Sequence, residues 1–425
     1  MKKLILMLAC IAAMCTTVSA QTSGTTGDLT WSLDNDGVLT ISGTGAIPDY
    51  PANELIPWFQ YREDIKSVII KKGVTSIGPR VFGGCSELVS VSIPDGVESI
   101  GDAAFAGCYS LTSISLPESL TTIGSVAFSG CGSLTSISIP GNVKNIGVSA
   151  FFHCSSLVSI VIPSGVTRIE RETFGSCIGL TSISLPESLT IIGSLAFSGC
   201  RNLESISIPK NVTEIGGSAF YGCNSLESIT IPGSVKYIGV YAFENCTNLA
   251  SVTIESGVTN IGDKAFFGCS KLTSITIPSS VTNIGEQVFY RALKSVYTQS
   301  STPPIIENQG LLNATQTRCK LYVPIGSKED YQAAPIWERF DIMEYDVSSI
   351  NEAVIKKPII YPNPTTGKAF IETTNGITPQ VRVLDMQGNL LQQMQSNEID
   401  LSGYNSGIYL VEVNGETVKV LVTPN

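Results

Sequence analysis

Nine of the twelve cysteines in this 425-residue chain follow one another at intervals of 23 residues. They are Cys85, Cys108, Cys131, Cys154, Cys177, Cys200, Cys223, Cys246 and Cys269. Thiols can ligate metals, pair as disulfides or attack substrates, so a regular set of them could do chemistry. A constant interval of this length is also the signature of a solenoid, in which each repeat stacks on the one before it. The nine thiols should then form a column.

A column of thiols does not suit a metal site. Four ligands must converge at roughly 2.3 Å from a zinc ion, whereas successive coils are about 4.8 Å apart. Disulfides between adjacent coils are sterically conceivable, but nine is an odd number and identical sites give no reason to pair one way. We therefore predict free, buried thiols that fill small apolar positions, with no metal and no cofactor. Cys319 is a separate thiol that could also lie buried.

Catalytic patterns are missing from the sequence. The single histidine, His153, lies between Phe152 and Cys154, and the other eight cysteines of the column have no histidine beside them to act as a base. The chain contains no G-x-S-x-G, phosphate-binding loop or dinucleotide motif. We predict that the protein is not an enzyme.

The repeat unit explains where the cysteines lie. In Leu111 to Ser133, an L-x-x-I-x-I strand ends at Pro117, which cannot donate a backbone hydrogen bond. A glycine follows V/L-x-x-I, and it is expected to adopt positive φ at a bend; A-F-x-x-C is expected to form one helical turn on the outer face. The recurring phenylalanines should stack as a buried spine: Phe82, Phe105, Phe128, Phe151, Phe174, Phe197, Phe220, Phe243, Phe266 and Phe289.

Hydroxyl side chains occupy the strand positions that face away from the predicted core. We name these positions the serine strip, and they are Ser90, Ser92, Ser113, Ser115, Ser136, Ser138, Ser159, Ser182, Ser184, Ser205, Ser207, Ser228, Thr230, Ser251, Thr253, Ser274 and Thr276. One interpretation is structural, because small residues avoid crowding and hydroxyls can hydrogen-bond across strands. The other is a polar docking strip for an extended protein or a glycan. Binding of ordered water or ice is a third and weaker interpretation.

Aromatic residues at variable positions form a second candidate. Tyr221, Tyr237 and Tyr241 lie within one coil of each other and could form an interface patch, since exposed aromatic residues are common anchors. Packing over the coil edge is the alternative.

The two ends of the chain differ from the repeats. Lys2 and Lys3, followed by a short apolar run and Val18-Ser19-Ala20, predict a signal peptide cleaved between Ala20 and Gln21. A lipoprotein signal ending at Cys10 is a less favoured reading. No other segment is apolar enough to cross a membrane, and the net charge of −10 argues against nucleic acid. After Tyr345, short alternating strands predict a small β-sandwich.

The repeat pattern, from roughly Ile65 to Thr298, resembles the 23-residue leucine-rich repeats of BspA-like bacterial surface proteins. The resemblance implies a right-handed leucine-rich-repeat coil with a parallel β-sheet on the concave face, where the serine strip would lie, and short helical turns or loops outside. Asp28 to Ile47, with Trp58 and Tyr61, resembles the N-terminal cap of that family. Leu321 to Ser327, with Trp337 and Phe340, resembles its C-terminal cap.

The C-terminal segment resembles the sorting domain of type IX secretion cargo. The resemblance is carried by Tyr361-Pro362-Asn363-Pro364, Leu384-Asp385-Met386, Ser406 to Tyr409 and Lys419 to Val422. It implies an Ig-like sandwich that engages the type IX secretion machinery and takes the protein through the periplasm and across the outer membrane of a Gram-negative bacterium. Removal of the domain and attachment of the body to lipopolysaccharide often follow in this class.

We therefore expect a secreted or surface adhesion protein whose partners are host extracellular matrix proteins or other cell surfaces. A glycan-binding or structural surface component is the alternative. The expected divisions are a signal peptide at 1–20, an N-terminal cap at 21–64, repeats at 65–298, a C-terminal cap at 299–345, a linker at 346–357 and a sorting domain at 358–425.

Overall fold

In the computed structural model, the described residues are 20–50, 56–289, 293–306, 319–348, 359–361, 363, 365, 367–372, 378–413 and 416–423. Residues 1–19, which hold most of the predicted signal peptide, and most of the predicted linker lie outside them. Ala20 and Gln21 begin the first strand, and the cleavage site between them stays a prediction. The division of the chain into domains also stays a prediction.

The N-terminal segment forms an antiparallel meander of three strands that leads into the repeats. Its strands are β1 (Ala20–Thr26), β2 (Leu29–Asp34), β3 (Val38–Gly43) and β4 (Gly45–Ala46), and a short 3-10 helix spans Phe59–Tyr61. β3 pairs in parallel with the first repeat strand. Trp58 stacks on Phe82, with ring centroids 6.0 Å apart, and donates its indole N–H to the carbonyl of Val81 at 2.9 Å. The meander and Trp58 thus cover the first coil, which would otherwise expose its apolar edge.

Every coil of the solenoid contributes a strand of two to four residues to a narrow parallel sheet, and most coils contribute a second strand to a wide one. The coils at 134–140 and 203–209 have no strand in the wide sheet, which is therefore divided into segments. The strands are β5 (Ser67–Ile70), β6 (Val74–Ile77), β7 (Ser90–Ser92), β8 (Ser99–Ile100), β9 (Ser113–Ser115), β10 (Thr122–Ile123), β11 (Asn145–Ile146), β12 (Ser159–Val161), β13 (Arg168–Ile169), β14 (Ser182–Ser184), β15 (Ile191–Ile192), β16 (Glu214–Ile215), β17 (Ser228–Ile231), β18 (Tyr237–Ile238), β19 (Ser251–Ile254), β20 (Asn260–Ile261), β21 (Ser274–Ile277), β22 (Asn283–Ile284), β23 (Ser295–Thr298) and β24 (Ile305–Ile306).

Register is constant in both sheets. In the wide sheet serine faces serine, as in Ser90 opposite Ser113, and in the narrow sheet isoleucine faces isoleucine, as in Ile100 opposite Ile123. The narrow sheet, built on the x-I of V/L-x-x-I, was not expected from the sequence. The predicted repeat solenoid with parallel sheets is confirmed.

The phenylalanine spine is confirmed. Phe105 and Phe128 are fully buried, and their rings stack with centroids 5.3 Å apart and planes 4° apart. Similar contacts run without a break from Trp58 to Phe289. Each ring covers the apolar face of its neighbour, so burial depends on stacking between coils.

The outer segments are short turns whose hydrogen bonds run between coils as well as within them. The N–H of Phe105 donates to the carbonyl of Ala127 in the next coil at 2.8 Å, whereas the N–H of Cys108 donates back to Phe105 at 3.2 Å. No α-helix forms in the described repeats, because half of the donors that a helix would use are taken by the neighbouring coil.

The glycines that follow V/L-x-x-I in the repeats, such as Gly101 and Gly124, do not have positive φ. The expectation of positive φ at these positions is therefore wrong. They are needed for close approach instead: a Cβ on Gly124 would lie 2.6 Å from the backbone N of Asp102 in the preceding coil. The positive φ falls two residues later, on a column of non-glycine residues: Arg80, Ala103, Val126, Ser149, Glu172, Leu195, Ser218, Tyr241, Lys264 and Gln287.

The last coils continue into β25 (Lys320–Pro324), helix α1 (Lys328–Ala333), a 3-10 helix at Trp337–Arg339 and β26 (Asp341–Tyr345). β25 and β26 extend the wide sheet in parallel. Trp337 is buried and donates its indole N–H to Pro304 at 2.8 Å. This segment closes the other end of the stack.

The C-terminal segment forms two antiparallel sheets around one core. Its strands are β27 (Ile359–Tyr361), β28 (Lys368–Glu372), β29 (Gln380–Leu384), β30 (Leu390–Gln395), β31 (Glu398–Asp400), β32 (Gly407–Val413) and β33 (Glu416–Val422). One sheet has the order β27-β28-β31 and the other β30-β29-β32-β33. Ile371 and Ile399 of the first pack in one cluster with Val383 and Val411 of the second. The predicted small β-sandwich is present.

Candidate binding surfaces

The serine strip is a double row of hydroxyls on the wide sheet, interrupted by Val161 in the second row. Ser90, Ser113 and Ser136 are exposed, and the isoleucine or valine after each is buried, because side chains alternate across a strand. Exposure is not uniform along the row: Ser159 and Ser182 are half-buried, and only 6% of Ser184 is exposed. The strip is therefore open over its first coils, least exposed between Ser159 and Ser184, and exposed again at Ser205 and Ser228.

The strip hydroxyls make no hydrogen bonds to other protein groups in the part of the chain that the structure describes. The hydroxyls that do bridge coils lie elsewhere. Ser119 donates to the carbonyl of Val97 at 2.7 Å, and Thr190 donates to the carbonyl of Thr167 at 3.0 Å. The cross-strand hydroxyl ladder of the structural interpretation is thus not formed, and the exposed hydroxyls of the strip, such as those of Ser113 and Ser136, have no protein partner among the described residues.

The residues just before the strip add a second, mixed row. Val89 and Val158 are exposed at 46% and 47%, and the same position holds Glu204 and Glu227 further along. A partner lying along the strip would meet apolar and acidic side chains as well as hydroxyls.

The three candidate tyrosines occupy different parts of the coil. Tyr237 lies on β18 of the narrow sheet, whereas Tyr221 and Tyr241 lie in the outer turns. Lys264 stands over the ring of Tyr241, with Nζ 5.3 Å from its centroid, and lies 6.0 Å from the centroid of Phe267. This contact was not anticipated from the sequence, because Lys264 and Phe267 belong to the next coil.

Tyr221 approaches the same turns from the preceding coil. Its hydroxyl accepts a hydrogen bond of 3.4 Å from the side-chain amide of Asn245. Glu244, in the same coil as Tyr241, is partly buried. Burial raises the pKa of its carboxyl, and the nearby charge of Lys264 offsets part of that rise. The cluster is polar and aromatic, as protein interfaces often are.

The nine cysteines of the column, all among the described residues, are free and buried, as predicted. Each thiol except the first donates to a backbone carbonyl of the preceding coil; Cys131 Sγ lies 3.3 Å from the carbonyl oxygen of Phe105. Burial raises the pKa of Cys85, Cys131 and Cys177 to about 12, so these thiols remain protonated. Among the described residues no cluster of side chains could hold a metal ion.

His153 does not join the cysteines. It is exposed, has a φ of 60°, and its ring meets Phe152 edge-on with centroids 5.0 Å apart. In the described residues, no helix has the length and apolar character needed to span a membrane.

Comparisons with known proteins match both parts of the chain. The model of the BspA type leucine rich repeat region matches residues 57–181 and 167–295, in six copies. The model of the secretion system C-terminal sorting domain matches residues 359–422. No curated protein matches the chain significantly.

Solved structures of bacterial leucine-rich repeat proteins are similar to the chain. One from Bacteroides ovatus is 25% identical, with 75% of this chain and 98% of that one covered and a TM-score of 0.45. One from Eubacterium ventriosum is 29% identical, with 71% and 78% covered and a TM-score of 0.42. A leucine rich cell surface protein from Faecalibacterium prausnitzii is 25% identical, with 78% and 97% covered and a TM-score of 0.40.

Proposed function

The chain belongs to the BspA-type leucine-rich repeat family, and on that basis we propose that it is an exported, non-catalytic scaffold that binds another protein along the serine strip. The observation that carries the proposal is the row of exposed hydroxyls without protein partners, in constant register. Such a surface offers many hydroxyls that can hydrogen-bond to a partner protein without first breaking a hydrogen bond within this chain.

A protein fits the strip better than a glycan does. Small-molecule and sugar sites combine a few placed polar groups with aromatic or apolar walls, whereas this face consists of serine and threonine with Val161 as an apolar break. The neighbouring row supplies exposed Val89 and Val158 together with Glu204, a mixture that suits an extended polypeptide. Host matrix proteins and other cell surfaces are the expected sources of the partner.

Binding is tested by screening the full chain against matrix proteins and, in parallel, on a glycan array. The double variant Ser113→Lys with Ser136→Lys places two cations on the open part of the strip. Its matched control is Ser256→Lys with Ser279→Lys, two exposed serines beyond the strand ends. Loss of protein binding in the first variant alone supports the proposal. Glycan binding, or equal effects of both variants, contradicts it.

Export is the second part of the proposal. The sorting domain supports transport by type IX secretion to the surface of a Gram-negative bacterium, by way of the periplasm. We expect deletion of residues 359–422 to retain the protein in the periplasm. The control is Lys368→Ala, which removes an exposed ion pair with Glu398 but leaves the core of the domain intact. Protease shaving of intact cells measures the result, and surface display of the deletion variant would refute the assignment.

A further inference from the structure

A cavity of about 920 Å³ separates the middle of the solenoid from the C-terminal domain. Its solenoid wall includes Ser184, Ser205 and Ser207 of the serine strip. Its other wall includes Tyr361, Phe370 and Val418 of the C-terminal domain. The domain therefore faces the strip across this cavity.

Two coils that share a ten-residue sequence differ in how exposed their strip serines are. Residues 111–120 and 180–189 both read LTSISLPESL, yet Ser115 is exposed whereas Ser184 is 6% exposed. Ser113 is exposed and Ser182 is half-buried. Ser182 and Ser113 both have serine on either side in the sheet column, so their direct strand neighbours do not distinguish them. The neighbour of Ser184 does differ, since Val161 lies beside it where Ser92 lies beside Ser115. A cover from outside the repeat accounts for the lower exposure of both Ser182 and Ser184.

The two walls are chemically complementary. The domain contributes Phe370, which is 44% exposed and lies with its ring centroid 6.1 Å from that of Tyr361. It also contributes Lys419, and the solenoid contributes Glu187, Glu204 and Glu227, together with Lys210, to the same cavity. Apolar rings and opposite charges that converge on one surface are the features of an interface.

We propose that the middle of the serine strip is a docking surface for the chain's own C-terminal domain. The docked domain covers Ser182 and Ser184 and leaves Ser113 and Ser136 open. If the strip binds a partner, as proposed above, the covered coils become available only when the domain undocks or is removed. The docking itself does not depend on the identity of that partner.

The identical coils provide the test. Ser184→Cys and Ser115→Cys are made separately in the full chain, and the rate of maleimide labelling is followed by mass spectrometry. The native thiols are buried, and the parent chain measures their background. We expect Ser184→Cys to label at least about tenfold more slowly than Ser115→Cys, the factor given by a domain that is undocked one-tenth of the time.

A substitution on the domain identifies the cover. Phe370→Glu, at an exposed residue of the cavity wall, should raise the Ser184→Cys rate to that of Ser115→Cys. Leu391→Glu, at a residue of similar exposure that does not line the cavity, should leave it unchanged. Tyr361→Ala is a second variant should Phe370→Glu lower the melting temperature.

Equal labelling of Ser184→Cys and Ser115→Cys in the intact chain would overturn the proposal. Slow labelling that persists in both cavity variants would also overturn it, since the burial of Ser184 would then come from Val161 in the preceding coil. No partner is present in these measurements, so their outcome is separate from that of the binding screen.

Discussion

The thiol of Cys108 donates a 3.2 Å hydrogen bond to the backbone carbonyl of Phe82, 26 residues earlier in the preceding coil. The same carbonyl accepts the N–H of Cys85 at 3.2 Å. One oxygen thus closes its own turn and fixes the next coil upon it. The arrangement recurs along the column, which gives cysteine a role beyond filling space.

Alkaline pH should destabilise the solenoid through these thiols. Burial raises the pKa of Cys177 from 9.0 to about 12, so the unfolded thiol loses its proton at a lower pH than the folded one. The stabilising contribution is complete below pH 9 and is lost as pH rises from 9 to 12. The slope is about 1.4 kcal/mol per pH unit for each thiol.

Urea unfolding under reductant at pH 8 and pH 10 measures this effect, with Cys177→Ala as the comparison. The variant lacks one titrating thiol, so its deficit against the parent chain should shrink at pH 10. A deficit that is the same at both pH values would contradict the prediction.

The phenylalanine spine should dominate stability. Phe174 is fully buried between Phe151 and Phe197, at 5.5 and 5.6 Å. Phe174→Ala should lower the free energy of unfolding by about 3–5 kcal/mol, because it removes contacts with two coils and leaves a cavity. Phe152→Ala, at a half-buried residue of the outer surface, should cost less than about 1 kcal/mol. Similar losses in the two variants would show that stacking is not the main source of stability.

The sequence predicted the features that recur with the period. Phe105, Cys108 and Ile114 each repeat at 23 residues, so their burial follows from a single coil and the rule that coils stack. The serine strip was found in the same way, because Ser113 and Ser115 alternate with Ile114 along a strand.

Features that depend on distances between coils could not be predicted. Glycine is required at position 124 because a backbone atom of the preceding coil lies too close for a Cβ, and the sequence does not show that distance. The sequence also does not show which residue of the repeat has positive φ. The burial of Ser184 is a still clearer case, since its local sequence is the same as that of the exposed Ser115. The two serines differ in the preceding coil, where Val161 lies beside Ser184 and Ser92 lies beside Ser115, and in the cavity shared with the C-terminal domain, which Ser184 lines and Ser115 does not.

Two nearby glycines should respond oppositely to alanine. A Cβ on Gly147 would lie 2.4 Å from the backbone N of Ser125, and neither backbone can move without separating two coils. Gly147→Ala should therefore cost about 1–3 kcal/mol. A Cβ on Gly141 meets nothing within 4 Å, and Gly141→Ala should stabilise by about 0.4–1 kcal/mol by restricting the unfolded chain. Thermal unfolding of both variants checks the pair, and the reverse order would exclude close approach as the reason for the glycine.

A substitution at Val126 should relieve backbone strain. Its φ is 60°, in the left-handed region that β-branched residues rarely adopt, and its N–H donates to the carbonyl of Val148 in the next coil at 2.8 Å. That bond between coils holds the residue in place. Val126→Asn should raise the free energy of unfolding by about 1 kcal/mol, since asparagine tolerates this conformation and leaves the backbone bond intact.

The control is Val148→Asn, the same substitution at an exposed residue without positive φ. It should be neutral or slightly destabilising, because it relieves no strain. Denaturation of the two variants beside the parent chain separates the two cases. If Val126→Asn is no more stable than Val148→Asn, the left-handed column carries no strain, and the inter-coil hydrogen bonds alone decide which residues the solenoid accepts there.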